Sequence, residues 1–531
     1  MQFCVVFFIV EFDKLYCLLY NQIKLRSFVM KKILKVSLFL VMILLAPVLA
    51  SCDANPFKPS GDGGEKGLYY EVDWDEDDNP FLVVAGVGDC SEENLVIPNS
   101  IYFQELERTL PIKAIGVGAF DKCKTLKSVT IPDSVKIIRG AAFSECSKLK
   151  NVSIPSSVKE IGPAAFIGCS VLESITIPNS VESIGPSVFE NCKSLSSVTL
   201  PNSISILEYG AFRGCNSLQS INIPDSVITI DDMAFEECGT LRNVYMGTSV
   251  RNVGELAFSR CYQLTSAVFT NSLETIGESA FSSCGNLETL AVGNSLSSIG
   301  ESAFWGCKKL KEVVLPNTLK VIPEKAFYNC RGMESLTLGD SVLEIGDMAF
   351  EDCIELATIS IPNTITKIDE RVFYGTAYVN NADNWEDNWS ALYIETQTKG
   401  NYYLLGVAEL SETYTIKDGT VGIAGLISFF DTDDRRLVDI KNLIIPDSVK
   451  YIGDFAFANF VNLESVEIGS GVVRIGEYAF ENCSKLEAVD FKVVEGWECE
   501  GEEISSTDLE KQSTSAGYLK TNYLYYVWTR N

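Results

Sequence analysis

The chain has 531 residues, enough for three or four ordinary domains, and 46 % of them are apolar, which excludes wholesale disorder. Its formal charge is −28, and −32 once residues 1–51 with their six basic and two acidic side chains are set aside, so nucleic acid is a poor partner. There is no histidine, which removes the commonest general base and the commonest metal ligand and leaves little room for an enzyme; no cofactor or metal is expected.

Residues 1–29 are apolar with scattered charges and carry no recognisable structural signal, so they read as an upstream extension or a mis-assigned start. Residues 30–51 make better sense as a beginning. Lys31, Lys32 and Lys35 form a basic head, 36–45 are apolar, and the segment is too short to span a bilayer comfortably, which is the pattern of an export signal. Leu49-Ala50-Ser51-Cys52 resembles a bacterial lipobox. That resemblance implies cleavage before Cys52 and lipid on its thiol, with the membrane reached through that anchor alone; the alternative is an ordinary signal peptide with an incidental cysteine. Residues 52–66 then form a Pro/Gly/Ser-rich tether.

Residues 67–110 read as an N-terminal cap and a degenerate first repeat. The β-rich runs 68–74 and 81–87 flank DEDDNP and suggest a hairpin. Asp73, Asp75 and Asp77 are spaced like the start of a calcium loop. Asp78 and Val84, however, stand where the turn glycine and the bidentate glutamate belong, so a solvated acidic turn is expected.

From 111 to 373 a single rule takes over. Phenylalanine recurs every 23 residues from Phe120 to Phe373, twelve times without a slip, and a cysteine follows three residues later in all copies but the last, from Cys123 to Cys353. Self-similarity at this period marks a solenoid whose turns are buried only by their neighbours. In one copy, Val152 and Ile154 alternate with Ser153 as in a half-buried strand, and Pro155 ends it. Val158 and Ile161 form a second extended piece, Gly162 frees the backbone, and Ala165-Phe166 close the coil through a single helical or 3₁₀ turn.

The pattern I-P-x-S-V-x-x-I-G-x-x-A-F-x-x-C-x-x-L, repeated through residues 95–373 and 443–490, resembles the BspA-type leucine-rich repeats of bacterial surface proteins. The fold expected is a repeat solenoid, a leucine-rich-repeat right-handed coil of 23-residue turns, β-dominated with short 3₁₀ or helical turns and capped at both ends. The resemblance also implies a place at the cell surface or outer membrane, with a periplasm-facing position as the alternative, and adhesion to proteins, host extracellular proteins among them.

Residues 374–442 break the period. The runs 392–394 and 402–407 suggest a second hairpin and 413–423 a worn repeat, giving either irregular turns within one solenoid or two blocks with a bend between them. Regular repeats return over 443–490, with Phe457 and Phe480 in phase. Residues 491–531, rich in tyrosine and ending near Trp528, read as a C-terminal cap, with an aromatic sugar platform as the sharper alternative.

No motif for a nucleophile, phosphate loop or metal appears, so no catalytic group is proposed. The thiols, one per turn with no C-x-x-C, are expected to form an inert interior ladder rather than disulfides or a zinc site. The serine column from Ser134, continued by Thr318 and Thr364, is expected to satisfy backbone groups. The outward strand position runs polar, then apolar at Tyr245, Val268, Ala291 and Val314, then polar again. Such a stripe is a candidate binding site, unless it is drift on a tolerant β surface. The function expected is a non-catalytic, adhesin-like lipoprotein that binds proteins or other macromolecules; the alternative is an accessory part of an envelope complex, for example one handling glycans.

Overall fold

The computed structural model describes residues 67–87, 91–386, 391–407, 412–425 and 440–530. The extension, the signal, Cys52 and the tether lie outside the described residues.

Each regular turn contributes two short strands, which pair in parallel with counterparts 23 residues away in runs of two to five strands. Ser128–Thr130 pairs with Asn151–Ser153, Val129 opposite Val152. Glu160–Ile161 lies between Ile137–Ile138 and Ser183–Ile184. Gly162 then donates to the carbonyl of Ile138 at 2.7 Å, and Gly185 to that of Ile161 at 2.7 Å. A Cβ at either glycine would meet the neighbouring backbone at 2.6 or 2.4 Å, so stacked turns come this close only where a side chain is missing.

The remainder of the turn closes through i→i−3 bonds of the 3₁₀ type, interleaved with bonds to the next turn. Ala142, Ser144 and Cys146 donate to Arg139, Ala141 and Phe143, while Ala141, Phe143 and Glu145 donate to Pro163, Ala165 and Ile167 at 2.7–2.8 Å. A continuous helical turn would have kept all of these bonds inside one repeat. The alternation is made by two left-handed residues per turn, two before and two after the phenylalanine, such as Ala141 (φ 53) and Glu145 (φ 52).

Inside this frame the phenylalanines stack. Consecutive rings from Phe120 to Phe373 lie 4.9–5.7 Å apart and within 17° of parallel. Below them each thiol from Cys146 to Cys353 is buried and donates to the carbonyl of the phenylalanine one turn back, at 3.0–3.3 Å. Cys123 corrects the expected ladder: it is disulfide-bonded. It stands at the start of the column, where no earlier phenylalanine offers a carbonyl to a free thiol. The serine column is mixed. Ser157 and Thr364 donate to the carbonyls of Val135 and Val342 at 2.7 Å, whereas the buried hydroxyls of Ser134, Ser180 and Ser226 have no partner among the described residues.

The hairpin expected near the start is present. Leu68–Trp74 pairs antiparallel with Pro80–Val87, which joins Arg108–Ile115 in parallel and so begins the second ladder. Its acidic turn is internally bonded: Asp75 Oδ1 accepts from the Asn79 amide at 2.9 Å and Oδ2 meets Lys113 Nζ at 2.8 Å, while Asp73 pairs with Arg139 at 2.6 Å. The insert repeats this arrangement. Ala391–Glu395 pairs antiparallel with Tyr402–Val407, which joins Thr420–Ile423 in parallel. A new sheet therefore starts here, yet the old ladder is not cut, because Gly425 donates to the carbonyl of Ile368 at 2.8 Å as Gly162 does to Ile138.

At the far end Trp528–Arg530 pairs antiparallel with Arg474–Ile475, where another parallel strand would otherwise stack. Trp497 and Trp528 are buried against Phe491. The aromatic tail thus covers the last turn, and only Tyr525 and Tyr526 are strongly exposed among its rings. Among the described residues no helix is long and apolar enough to cross a membrane.

Truncating one ring should be felt on both sides. Phe258→Ala is expected to cost about 3–5 kcal/mol, and hydrogen exchange should show lost protection in the turns of Phe235 and Phe281 as well as its own. Conversely, Ser283→Gly, at a left-handed position (φ 63), should raise the denaturant midpoint, because about 1–2 kcal/mol of conformational strain outweighs glycine's roughly 0.5–1 kcal/mol entropic penalty.

Candidate functional site

The three-residue strands form the outer face that matters. Their middle residues point inward, and their first and third residues point out. From Ser128–Thr130 to Thr358–Ser360 these outward positions are Ser, Thr and Asn with a few apolar residues, and a single charge, Glu312, stands among them. The charges sit on the flanks instead, paired along the axis, as in Lys150–Glu173 (3.0 Å), Lys159–Glu182 (2.8 Å), Arg251–Glu274 (2.8 Å) and Lys311–Glu334 (3.2 Å). A face this poor in charge on a chain this acidic has the composition of an interface core with a polar rim.

All four stripe residues lie on this face on successive turns. Tyr245, Val268 and Val314 are 62, 51 and 56 % exposed, and Ala291 is exposed too. Tyr245 pairs with Asn222, Val268 with Ala291, and Val314 with Thr337. The strand alternation that buries Val244, Ala267 and Val313 pushes these neighbours outward.

One feature escaped the sequence reading. In this stretch the proline after the strand gives way to Gly247, Thr270, Gly293 and Gly339. Gly293 has φ +69, and a Cβ there would lie 2.5 Å from the Thr270 carbonyl oxygen. A shallow open groove of about 510 Å³ runs beside the stripe past Ala291, Val314, Thr337 and Asp340. Gln397, from the tip of the insert hairpin, lines it too. That tip is pinned: the Gln397 amide donates to Ile361 O at 3.0 Å, and Asn363 Oδ1 accepts from Thr396 Oγ1 at 2.8 Å and the Thr398 amide at 2.9 Å. The lost prolines were a readable sign of the groove. The hairpin's reach over it was not.

The insert also holds a close cluster of titratable groups. Lys417 Nζ is 2.8 Å from Glu386 and 4.0 Å from the centre of the Tyr402 ring, while the Tyr393 and Tyr414 hydroxyls meet at 2.6 Å. Burial pushes both phenols up, and for Lys417 the Glu386 carboxylate outweighs the opposing effect of burial, so its pKa rises. Neutral phenols beside a lasting cation offer packing, not a base or a nucleophile. The thiols are equally passive: burial pushes Cys146, Cys192, Cys238 and Cys284 up to about 12.

With the geometry in place, comparison with known proteins is decisive for the family. The model for the BspA type leucine rich repeat region matches residues 97–208, 183–311, 274–388 and 436–498, well over half of the chain. The chain belongs to this family. Among solved structures, a leucine-rich repeat protein from Bacteroides ovatus is similar to this BspA-type chain at 27 % identity, over 77 % of this chain and 94 % of its own, with a TM-score of 0.50. The T. pallidum leucine rich repeat protein is 32 % identical over 37 % of this chain and 88 % of its own, with a TM-score of 0.34. A leucine rich cell surface protein from Faecalibacterium prausnitzii is 28 % identical over 59 % and 93 %, with a TM-score of 0.37. No functionally curated protein matches.

The thiol column has a measurable signature. Between about pH 9, the ordinary thiol value, and about pH 12 the unfolded chain has released protons that the folded chain keeps. Stability should therefore be complete below about pH 9 and fall as the pH rises beyond it, by up to about 1.4 kcal/mol per pH unit for each buried thiol. Denaturant titrations at several pH values would read this slope, and Cys238→Ala should make it shallower.

Proposed function

We propose that this BspA-type repeat chain is a non-catalytic, adhesin-like lipoprotein of the bacterial cell surface, anchored through Cys52, that binds protein ligands on its outer strand face. Host extracellular proteins are the partners that the family resemblance favours. The observation that carries the reading is the outer face itself. It is held by backbone bonds between turns, nearly free of charge over eleven turns, and apolar at Tyr245, Val268, Ala291 and Val314, with a groove beside the last two.

Rigidity matters because a preformed face loses little conformational entropy on docking. The apolar centre would supply the contact area, and the hydroxyl and carboxamide columns on either side a hydrogen-bonding rim.

The double variant Val268→Asp with Val314→Asp should keep its thermal midpoint, since both side chains are exposed, and should lose at least about tenfold in affinity for a protein captured from host surface extracts. Undiminished capture by the folded variant would remove the face from the reading. Proteinase added to intact cells should degrade the chain, and Cys52→Ser should release it from the membrane fraction. A chain left whole by that treatment is not at the surface.

A further inference from the structure

The charges around the groove point to the chemistry of what it holds. Two lysines on the turn that carries Val314 are matched, Lys311 with Glu334 at 3.2 Å and Lys309 with Glu288 at 3.7 Å. Two exposed carboxylates are not. Glu312 stands on the same strand as Val314, two residues before it and on the same outward side. Asp340 lines the groove across the stripe from Glu312. Neither has a cation within ion-pair distance among the described residues.

Asp340 is not committed to structure through its side chain. Its backbone is: the Asp340 amide donates to Asn317 Oδ1 at 2.8 Å, and its carbonyl accepts from Thr364 Oγ1 at 2.9 Å. Asn317 makes that inter-turn bond in the preceding copy of the same repeat position, as Asp225 does to the Thr248 amide at 2.8 Å. The next copy offers the same bond no acceptance from Asp340, whose carboxylate is left to the groove. Glu312 is likewise the one charge that a face of Ser, Thr and Asn admits, and it sits beside the apolar stripe.

We infer that the groove beside Ala291 and Val314 takes an extended, basic segment of a partner protein, with an apolar side chain on Val314 and a cationic group on each side, one toward Glu312 and one toward Asp340. Gln397, which lines the groove, offers a carboxamide to the segment's backbone. An acidic segment would be repelled by both carboxylates and by the net charge of −28, so the same charges that admit one sign reject the other. This assignment rests on the outer face being the binding surface, as proposed above.

The test uses two labelled peptides that differ only in sign, Arg-Val-Leu-Val-Arg and Glu-Val-Leu-Val-Glu between Gly-Ser ends, with fluorescence anisotropy on the exported chain. The basic peptide should bind more tightly by about tenfold or more, and added salt should narrow the gap. Glu312→Gln with Asp340→Asn should weaken the basic peptide about fivefold or more. Those two changes remove only two of 71 acidic residues, so general attraction to an acidic chain would survive them. Equal binding of both peptides, binding of neither, or an unchanged affinity in the double variant overturns the inference. Loss of the captured host protein with Val268→Asp and Val314→Asp, but not with the carboxylate variants, would leave the binding face standing and remove only its basic partner.

Discussion

Every other feature of this molecule depends on the backbone bonds that join residues one repeat apart. On the strand side they form two parallel ladders. On the turn side they alternate with bonds inside the repeat, so that Phe143 donates to Ala165 while Ser144 donates to Ala141. A register set by main-chain atoms places each side chain directly over its counterpart. The inward columns must then be filled by residues that stack on themselves, which phenylalanine does at 4.9–5.7 Å and cysteine does by donating to the carbonyl below. The outward columns carry no such demand. They change from hydroxyl to apolar to acidic while the inward columns stay constant, although strand pairing lapses between Asn243–Tyr245 and Ser266–Val268 and between Thr289–Ala291 and Glu312–Val314.

The insert shows what happens when the register is interrupted. The chain leaves the ladder of two-residue strands after Lys367–Ile368, builds a hairpin of the kind that opens the solenoid near residue 70, and starts a new sheet from it. The junction is held by the Gly425 amide on Ile368, by the parallel bridge between Ile361 and Thr396, and by Lys367, which reaches Asp369 at 2.8 Å and Asp454 at 2.9 Å. The two sequence-based alternatives, irregular turns in one solenoid or two blocks, each describe part of this arrangement. The sheet restarts, yet the turns before and after it are bonded to one another. The same hairpin brings Gln397 to the end of the groove, so the interruption shapes the outer face instead of merely spacing it.

What could be read from the chain follows the same division. The phenylalanine column, both hairpins, the tryptophan-bearing cap and the outward stripe were legible, because burial at a fixed period leaves a periodic trace in residue type. The left-handed position after the phenylalanine is partly legible, since Gly168, Asn191, Gly214 and Asn329 occupy it. The one before it is glycine only at Gly118 and Gly210; Met233, Leu256 and Lys325 adopt the same backbone angles and carry no sign of it. There the stack, not local preference, imposes the conformation, and a single turn viewed alone would be assigned a short helix. The disulfide of Cys123 was hidden for a similar reason. Its residue type matches ten inert thiols, and only its place at the foot of the column sets it apart.

The groove lies between these cases. Replacement of proline by Gly247, Gly293 and Gly339 is visible in the sequence, and its cause lies in the distances: a Cβ at Gly339 would come within 2.4 Å of the Pro316 carbonyl. Proline ends a strand by removing a donor, whereas glycine ends it without a side chain between the turns, and the groove is lined by Gly293 and Gly339 with Pro316 between them. Outward Tyr, Val and Ala on a level face are open to the reading of drift, but Ala291 and Val314 border a shallow groove that Gln397 of a pinned loop also lines, with the carboxylates of Glu312 and Asp340, unpaired among the described residues, nearby. The proposed binding face rests on that combination.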